Sequence, residues 1–405
     1  MLPFVGFRRG QLLSCVWRRS VRVAWIAMPV LIVSPIAMDA QRSDGASEKP
    51  VAASNGAPTT ERPLRRESYN SPEGLVEVFG LRRWSLDALR DSVRAYRPGL
   101  DLHSAACQVV LRERYGFADA LVRTEEDFPT AGGRVERRFI LKLVEPGDSL
   151  RTRWNVRPLP PRDTFSVLRP TYATLVLAAT DSAGGLLIGR LLWPLQVATF
   201  PPDVRAKLLE ARPPGARADV EGMMGFLQGH SSDADLRVAV GAVRRDGFYA
   251  NRLAAAMVLT NFPRHPSAWY AVVTALRDPN EAVRDAAALS LRTLTRSFST
   301  ARPGDGAHID SIDWRPALAE LRLLVGGTNV AASEDVFRAL VQTKVSATLA
   351  GLLLGGNAEW LLLHLTASDR STRGAARALL VRMAGGRDLG DDPAAWARWI
   401  ATLQG

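Results

Sequence analysis

The chain has 405 residues, 47% of them hydrophobic, and a formal net charge of +11. This length suffices for two ordinary domains with buried cores. The charge does not indicate a nucleic-acid partner, because five arginines crowd the first 22 residues and no basic stripe interleaved with aromatic residues follows.

Residues 1–40 are predicted to be a secretory signal peptide. The arginines are followed by an apolar run over residues 23–38, and small residues near Ala37 and Ala40 precede a polar stretch. Basic, apolar and small-residue regions in this order are typical of export signals, and the run is too short for a comfortable membrane span. We therefore expect cleavage after Ala40 and an exported protein in the periplasm or cell envelope.

Three other interpretations of this segment stay open. Arg18-Arg19 resembles part of a twin-arginine signal, Leu12–Cys15 resembles a lipoprotein box, and the segment could persist as an uncleaved anchor. Only in the last case would the segment be a membrane contact. Cleavage would leave Cys107 alone, so no intrachain disulfide is expected and packing must supply the stability.

Residues 41–70 are predicted to be a disordered linker, since they nearly lack bulky apolar residues and cannot offset the entropy of ordering. A small α+β domain is expected over residues 71–150, from alternating and helically spaced apolar residues. Its expected elements are a strand ending near Gly80, a helix capped by Ser85, a helix over residues 104–115, and strands within residues 118–126 and 137–147.

This β-α-α-β-β order, with the segments VFGLRRWSLDALRDSV, RYGFADALV and FILKLVEPG, resembles a polypeptide-transport-associated (POTRA) domain. Gly80, Gly116-Phe117 and Glu145-Pro146-Gly147 occupy the places of that family's glycine-ended strand, Gly-aromatic pair and acidic turn. The resemblance implies an envelope assembly factor that binds polypeptide strands at a sheet edge. Such domains usually occur in tandem and no second copy is visible, so a generic α+β domain is the alternative.

Residues 151–220 are predicted to be a mixed connecting region. Their apolar stretch over residues 172–200 is cut by Asp181 and Arg190 into pieces shorter than a bilayer needs. The glycines of this region lack the spacing of a dinucleotide-binding loop.

Internal repetition begins after Met223. The segments VAVGAVRRDGFYANRLAAAMVL and AVVTALRDPNEAVRDAAALSL align so that Asp246 falls on Asp278 and Arg252 on Arg284. A later segment, LLLHLTASDRSTRGAARALLVRM, places Arg373 in the same frame. Self-similarity at a fixed period is typical of helical solenoids.

The segment LRDPNEAVRDAAALSL resembles the HEAT consensus, and the short period resembles the bilin-lyase-type repeats. The resemblance implies a mostly α fold, with a HEAT-like α-solenoid over residues 221–405 preceded by the small α+β domain. Because solenoid units contact mainly their neighbours, we expect residues from about 222 onward to fold without the N-terminal domain.

The repeated charged residues are predicted to be structural. Asp and Arg lie six apart in each unit and are expected to bond across neighbouring repeats as a ladder. The ladder residues are Asp246, Arg252, Asp278, Arg284 and Arg373. Trp396 and Trp399, three apart on one helical face, are expected to cap the last repeat, with an exposed docking site for a partner as the alternative.

No catalytic, cofactor-binding or metal-binding residue is predicted. The five histidines are isolated and make no metal-binding spacing, and neither a nucleophile elbow nor a phosphate-binding loop occurs. Only the type of repeat would suggest a bilin-lyase activity, and no other feature of the sequence supports one. The sequence therefore favours a non-enzymatic, exported scaffold that binds a protein partner and no nucleic acid; an envelope assembly factor and an enzyme with an unrecognised site are the alternatives.

Overall fold

The computed structural model describes residues 62–127, 136–155, 194, 197, 198, 200, 202–210, 214–300 and 310–403. The expected signal peptide, with its possible twin-arginine and lipoprotein motifs, lies outside these residues. So do most of the expected linker and much of the connecting region.

The N-terminal part is a small mixed sheet of four strands with two helices. Its elements are β1 (Arg65–Ser71), β2 (Gly74–Leu81), α1 (Leu86–Tyr96), α2 (Ala105–Glu113), β3 (Asp119–Asp127) and β4 (Glu136–Val144). The strand order is β1-β2-β4-β3, with β2 parallel to β4 and the other pairs antiparallel. The hydroxyl of Ser85 accepts the N–H of Ala88 and caps α1, as its sequence position predicts.

The strand β1 corrects the expectation of a disordered linker up to residue 70. Its sequence, RRESYNS, has little to bury, but it pairs along its whole length with β2. A tight turn joins the two strands, where the N–H of Gly74 donates to Ser71 Oγ (3.1 Å). Backbone pairing at a sheet edge therefore orders a segment that composition alone marks as unable to fold.

The sheet is buried on both faces. Side chains alternate along a strand, so Val76, Val78 and Leu141 pack with α1 and α2 in one core. Phe79 and Ile140 belong to the other core, which is made mainly of residues from the C-terminal helices. The sheet is thus a layer between two sets of helices, and the independent folding of residues from about 222 onward stays a prediction.

From residue 202 onward, the regular elements that the structure describes are all helices. Its helices are α3 (Pro202–Glu210), α4 (Pro214–Gly229), α5 (Asp233–Arg245), α6 (Tyr249–Val258), α7 (Pro266–Ala275), α8 (Glu281–Thr300), α9 (Leu318–Val325), α10 (Ser333–Gln342), α11 (Ala350–Leu354), α12 (Glu359–His364), α13 (Arg370–Met383) and α14 (Pro393–Ala401). The helical region therefore begins before the predicted boundary at residue 221. Among the described helices, none is long and apolar enough to cross a membrane.

Successive helices fall into two rows. The helices α5, α7, α9 and α11 pack one against the next, and α6, α8, α10 and α13 do the same. At the contact between α6 and α8, Ala254, Ala255, Ala286 and Ala287 are fully buried. Such small side chains let two helix backbones approach closely.

Candidate functional site

The three aligned arginines make the same backbone bond. In each helix pair, the guanidinium donates to the carbonyl of the residue six positions earlier, in the turn between the two helices. The bonds run from Arg252 to Asp246 (2.8 Å), from Arg284 to Asp278 (2.9 Å) and from Arg373 to Ala367 (2.6 Å). The repeated position therefore ties the second helix to carbonyls that the first helix leaves unpaired.

One step of the expected ladder is present. Arg252 forms a bidentate ion pair with Asp278 of the next helix pair, with Nε–Oδ2 and Nη2–Oδ1 distances of 2.6 and 2.9 Å. Both residues are almost completely buried, at 1% and 3% exposure. Asp278 also accepts the N–H of Asn280 (2.8 Å), whereas Asp246 bonds Asn251 within its own pair (3.0 Å).

The other two arginines do not extend the ladder. The guanidinium of Arg284 lies over the ring of Trp154, 4.0 Å from its centroid, and within the described residues it bonds no acid of a neighbouring helix pair. Arg373 Nε lies 3.9 Å from Asp391 Oδ2, in a half-exposed pair. The ladder is therefore a single buried step plus a repeated arginine–carbonyl bond.

The turns within successive helix pairs lie side by side and form what we call the turn ridge. The turn ridge comprises residues 246–248, 277–280, 326–332 and 365–369. Asn329 of the third turn bonds the residue just before the second turn, since its Nδ2 donates to the carbonyl of Leu276 (2.8 Å).

The chain leaving the sheet crosses the turn ridge as a segment without regular secondary structure, over residues 152–155. The guanidinium of Arg277 donates twice to the carbonyl of Arg153 (3.0 and 2.8 Å). The N–H of Asn155 donates to the carbonyl of Arg277 (2.7 Å). Just before this segment, Thr328 Oγ1 donates to the carbonyl of Arg151 (2.5 Å). The ridge thus binds residues 151–155 largely through the main-chain atoms of that segment.

A buried charged cluster joins β4 to the helices α10 and α12. Lys142 Nζ lies 3.0 Å from Glu334 Oε1 and 3.4 Å from His364 Nε2. Burial alone would raise the pKa of Glu334, but the charges of Lys142 and Arg123 outweigh it and hold this pKa well below its ordinary value. Burial, helped by Lys142, lowers the pKa of His364 to about 3.

His364 is therefore neutral, and its hydrogen-bond partners assign its tautomer. Nδ1 lies 2.9 Å from the carbonyl of Trp360, which can only accept, so Nδ1 carries the proton. Nε2 is then free to accept from Lys142. In the sequence this histidine looks isolated, because Lys142 lies 222 positions away from it and Glu334 belongs to another helix, α10.

A second buried carboxylate anchors the other strand of the sheet. Glu77 of β2 accepts from Arg66 Nη1 (2.7 Å) and from the backbone N–H of Ser368 in the turn ridge (3.0 Å). The sheet is held to the ridge by charge-assisted hydrogen bonds as well as by apolar packing.

The carboxyl groups of Asp119 and Asp285 lie close enough to interact electrostatically, where β3 lies near the start of α8. Burial, and then the charge of Glu281, raises the pKa of Asp285 to about 7. Burial also raises the pKa of Asp119. Glu281 is paired with Arg112 of α2 at 3.1 Å. Within the described residues, no three His, Cys, Asp or Glu side chains are grouped so as to hold a metal ion.

The C-terminal tryptophans differ in position. Trp396 is fully buried, and its Nε1 donates to the carbonyl of Gly390 (2.8 Å). Trp399 is half-buried and packs edge-on against it, with ring centroids 5.6 Å apart. Trp396 is thus part of the core at the end of the helical rows, and only Trp399 presents surface there.

Comparison with known proteins gives no relative for this chain: no protein-family model, no curated protein and no solved structure matches it.

Proposed function

We propose that this protein is an exported, non-enzymatic scaffold that binds extended segments of a partner polypeptide along its turn ridge. One observation carries the proposal: the ridge already holds a segment of its own chain, residues 152–155, by bonds to its main chain. Arg277 and Asn155 make main-chain bonds there, which recognise a backbone rather than a particular side chain. Export is proposed from the N-terminal sequence.

The proposal treats the C-terminal helices as a HEAT-like solenoid. Two features support it: the two rows of successively packed helices, and the arginine–carbonyl bond that recurs in three helix pairs. Solenoids bind other proteins on surfaces that run across several repeats.

We propose that the partner binds at the first turn of the ridge, residues 246–248. Phe248 in this turn is 46% exposed, and large exposed apolar side chains mark interaction sites more often when they cluster. Its neighbour Tyr249 packs against it, with ring centroids 5.5 Å apart. Together they offer an aromatic anchor beside the main-chain donors and acceptors of the ridge.

A second candidate is an envelope assembly factor with a POTRA-like domain. The order β2-α1-α2-β3-β4, with β4 between β2 and β3, favours it. So does Glu145, which lies in the acidic turn of the resemblance and accepts the N–H groups of Arg82, Arg83 and Trp84. Such a domain would bind a strand at the β3 edge, where the N–H of Val122 already donates to a side chain. We therefore place this candidate second.

Site-specific photo-cross-linking in the producing cells tests both candidates. A benzophenone side chain at position 248 should give a discrete protein adduct, and the same group at the exposed Tyr96 of α1 should not. An adduct at position 124 of β3 and none at 248 would favour the assembly factor. Absence of adducts at 248, with the protein folded and exported, would refute the scaffold proposal.

A further inference from the structure

A cleft of about 370 Å³ opens beside Asn155. It lies between α5, α7 and the start of α9, next to the turn of residues 277–280. Its polar walls are formed by Asn155, Arg244, Tyr270, Thr274, Glu320 and Asp278, the last of which is already paired with Arg252. A volume of this size lies within the range of sites that bind small ligands or short peptide segments.

The uncharged polar groups of the cleft are already bonded within the protein. Tyr270 donates its hydroxyl to the carbonyl of Asp313, and Thr274 Oγ1 donates to the carbonyl of Tyr270 (2.9 Å). Asn155 Nδ2 donates to the carbonyl of Thr274 (2.8 Å). These bonds fix the shape of the walls and leave few of their donors for a ligand.

Two charged side chains of the cleft, Arg244 and Glu320, are not bonded in this way. Arg244, exposed at the end of α5, makes no hydrogen bond or ion pair within the described part of the chain, and neither does Glu320 on α9. Glu320 senses the charge of Arg277 without bonding it. Within the described residues, the cleft therefore presents one cation and one anion that form no ion pair, on walls whose other polar groups are bonded.

We propose that this cleft binds a mixed-charge peptide segment, which presents a carboxylate to Arg244 and an ammonium or guanidinium group to Glu320. Charge-assisted hydrogen bonds to both ends would fix the direction in which the segment lies. The cleft is lined by Asp278 and Pro279 of the ridge, so the bound segment would lie against one of its turns. This inference rests on the proposed function and specifies its ligand.

Calorimetric titration of the purified full-length protein tests the inference. The probes are blocked peptides with Asp and Lys separated by one to four glycines, and their neutral counterparts with Asn and Gln. The best charged peptide should bind at least about tenfold more tightly than its neutral counterpart. Arg244→Glu should abolish that difference.

Matched variants separate the cleft from general charge. Arg245→Glu makes the same change of charge at the next, exposed position, which does not line the cleft, and should leave binding unchanged. Adding Glu320→Arg to Arg244→Glu inverts the cleft and should restore binding with the peptide reversed.

The inference is wrong if charged and neutral peptides bind alike, if none binds, or if Arg245→Glu weakens binding as much as Arg244→Glu. An adduct at position 248 alongside any of these results would leave the scaffold proposal standing and remove only the cleft. Loss of the adduct together with retained peptide binding would do the reverse.

Discussion

Removing the guanidinium of Arg252 is expected to be among the most destabilising single changes in the helical region. The substitution Arg252→Met keeps much of the apolar stem but leaves Asp278 buried, with the N–H of Asn280 as its remaining described partner. The carbonyl of Asp246 also loses a donor. Breaking a buried ion pair from one side costs about 3–5 kcal/mol, because one charge remains without its counter-charge.

A double variant separates the cost of an unpaired buried charge from the net contribution of the ion pair. Replacing both partners, as Arg252→Met with Asp278→Leu, removes the buried charge, so much of the loss should be recovered. The non-additivity should therefore be on the order of 2 kcal/mol or more. A matched control is Arg377→Met, which breaks an exposed pair with Asp388 and should leave the unfolding midpoint unchanged.

Urea unfolding followed by far-ultraviolet circular dichroism measures these differences, with the slope compared between variants to check that the unfolding remains two-state. The reasoning would be refuted if Arg252→Met unfolded at the midpoint of the control. It would also fail if the double variant were as unstable as the two single losses added together.

Three further predictions follow from the site. His364 has a folded pKa of about 3 against an ordinary 6.5, so the unfolded chain binds more protons between these values and stability falls as pH drops through that window; in urea titrations at pH 4 and 7, His364→Gln should flatten this slope, and an unchanged slope would contradict the assignment. Asp285 has the opposite sign: its folded pKa is raised from 3.8 to about 7, so stability is lost as pH rises through this window. Asp285→Asn should therefore raise the melting temperature more at pH 8 than at pH 5, and equal gains would count against the raised pKa. Gly80 has a φ of 95°, and a Cβ there would lie 2.2 Å from the carbonyl oxygen of Leu143; Gly80→Ala should cost more than about 2 kcal/mol in unfolding, whereas Gly99→Ala, with no atom near its Cβ, should cost less.

The local elements could be predicted because their signals are local. Ser85 caps α1, Ser104 caps α2, and the turn at Asp278-Pro279 separates two helices, as the residue types at those positions indicate. The alignment of the repeated segments also placed three arginines in equivalent positions, and the structure gives them the same backbone bond.

The contacts between distant segments could not be predicted in this way. Lys142, Glu334 and His364 come from one strand and two helices, and nothing in their spacing brings them together. One signal did exist: β2 is apolar on both faces, with Phe79 on the face opposite Val78, which is typical of a strand covered on two sides. That pattern predicts a second covering layer without identifying the helices that form it.

The strand β1 shows the limit of composition. Its seven residues include only one large apolar side chain, Tyr69, whose hydroxyl donates to Asp101 (2.6 Å). Burial and that bond raise the pKa of the tyrosine, so it stays protonated and able to donate. An edge strand held by backbone pairing and a few polar contacts has no periodic apolar signal to detect.

Amide hydrogen exchange on the full-length protein, alone and bound to the partner captured through position 248, shows whether the turn ridge is the binding surface. We expect slower exchange on binding in residues 246–248 and around the cleft at residues 274–280, with β3 unchanged. Slower exchange confined to residues 119–127 of β3, or to the C-terminal helix at Trp399, would contradict binding along the turn ridge.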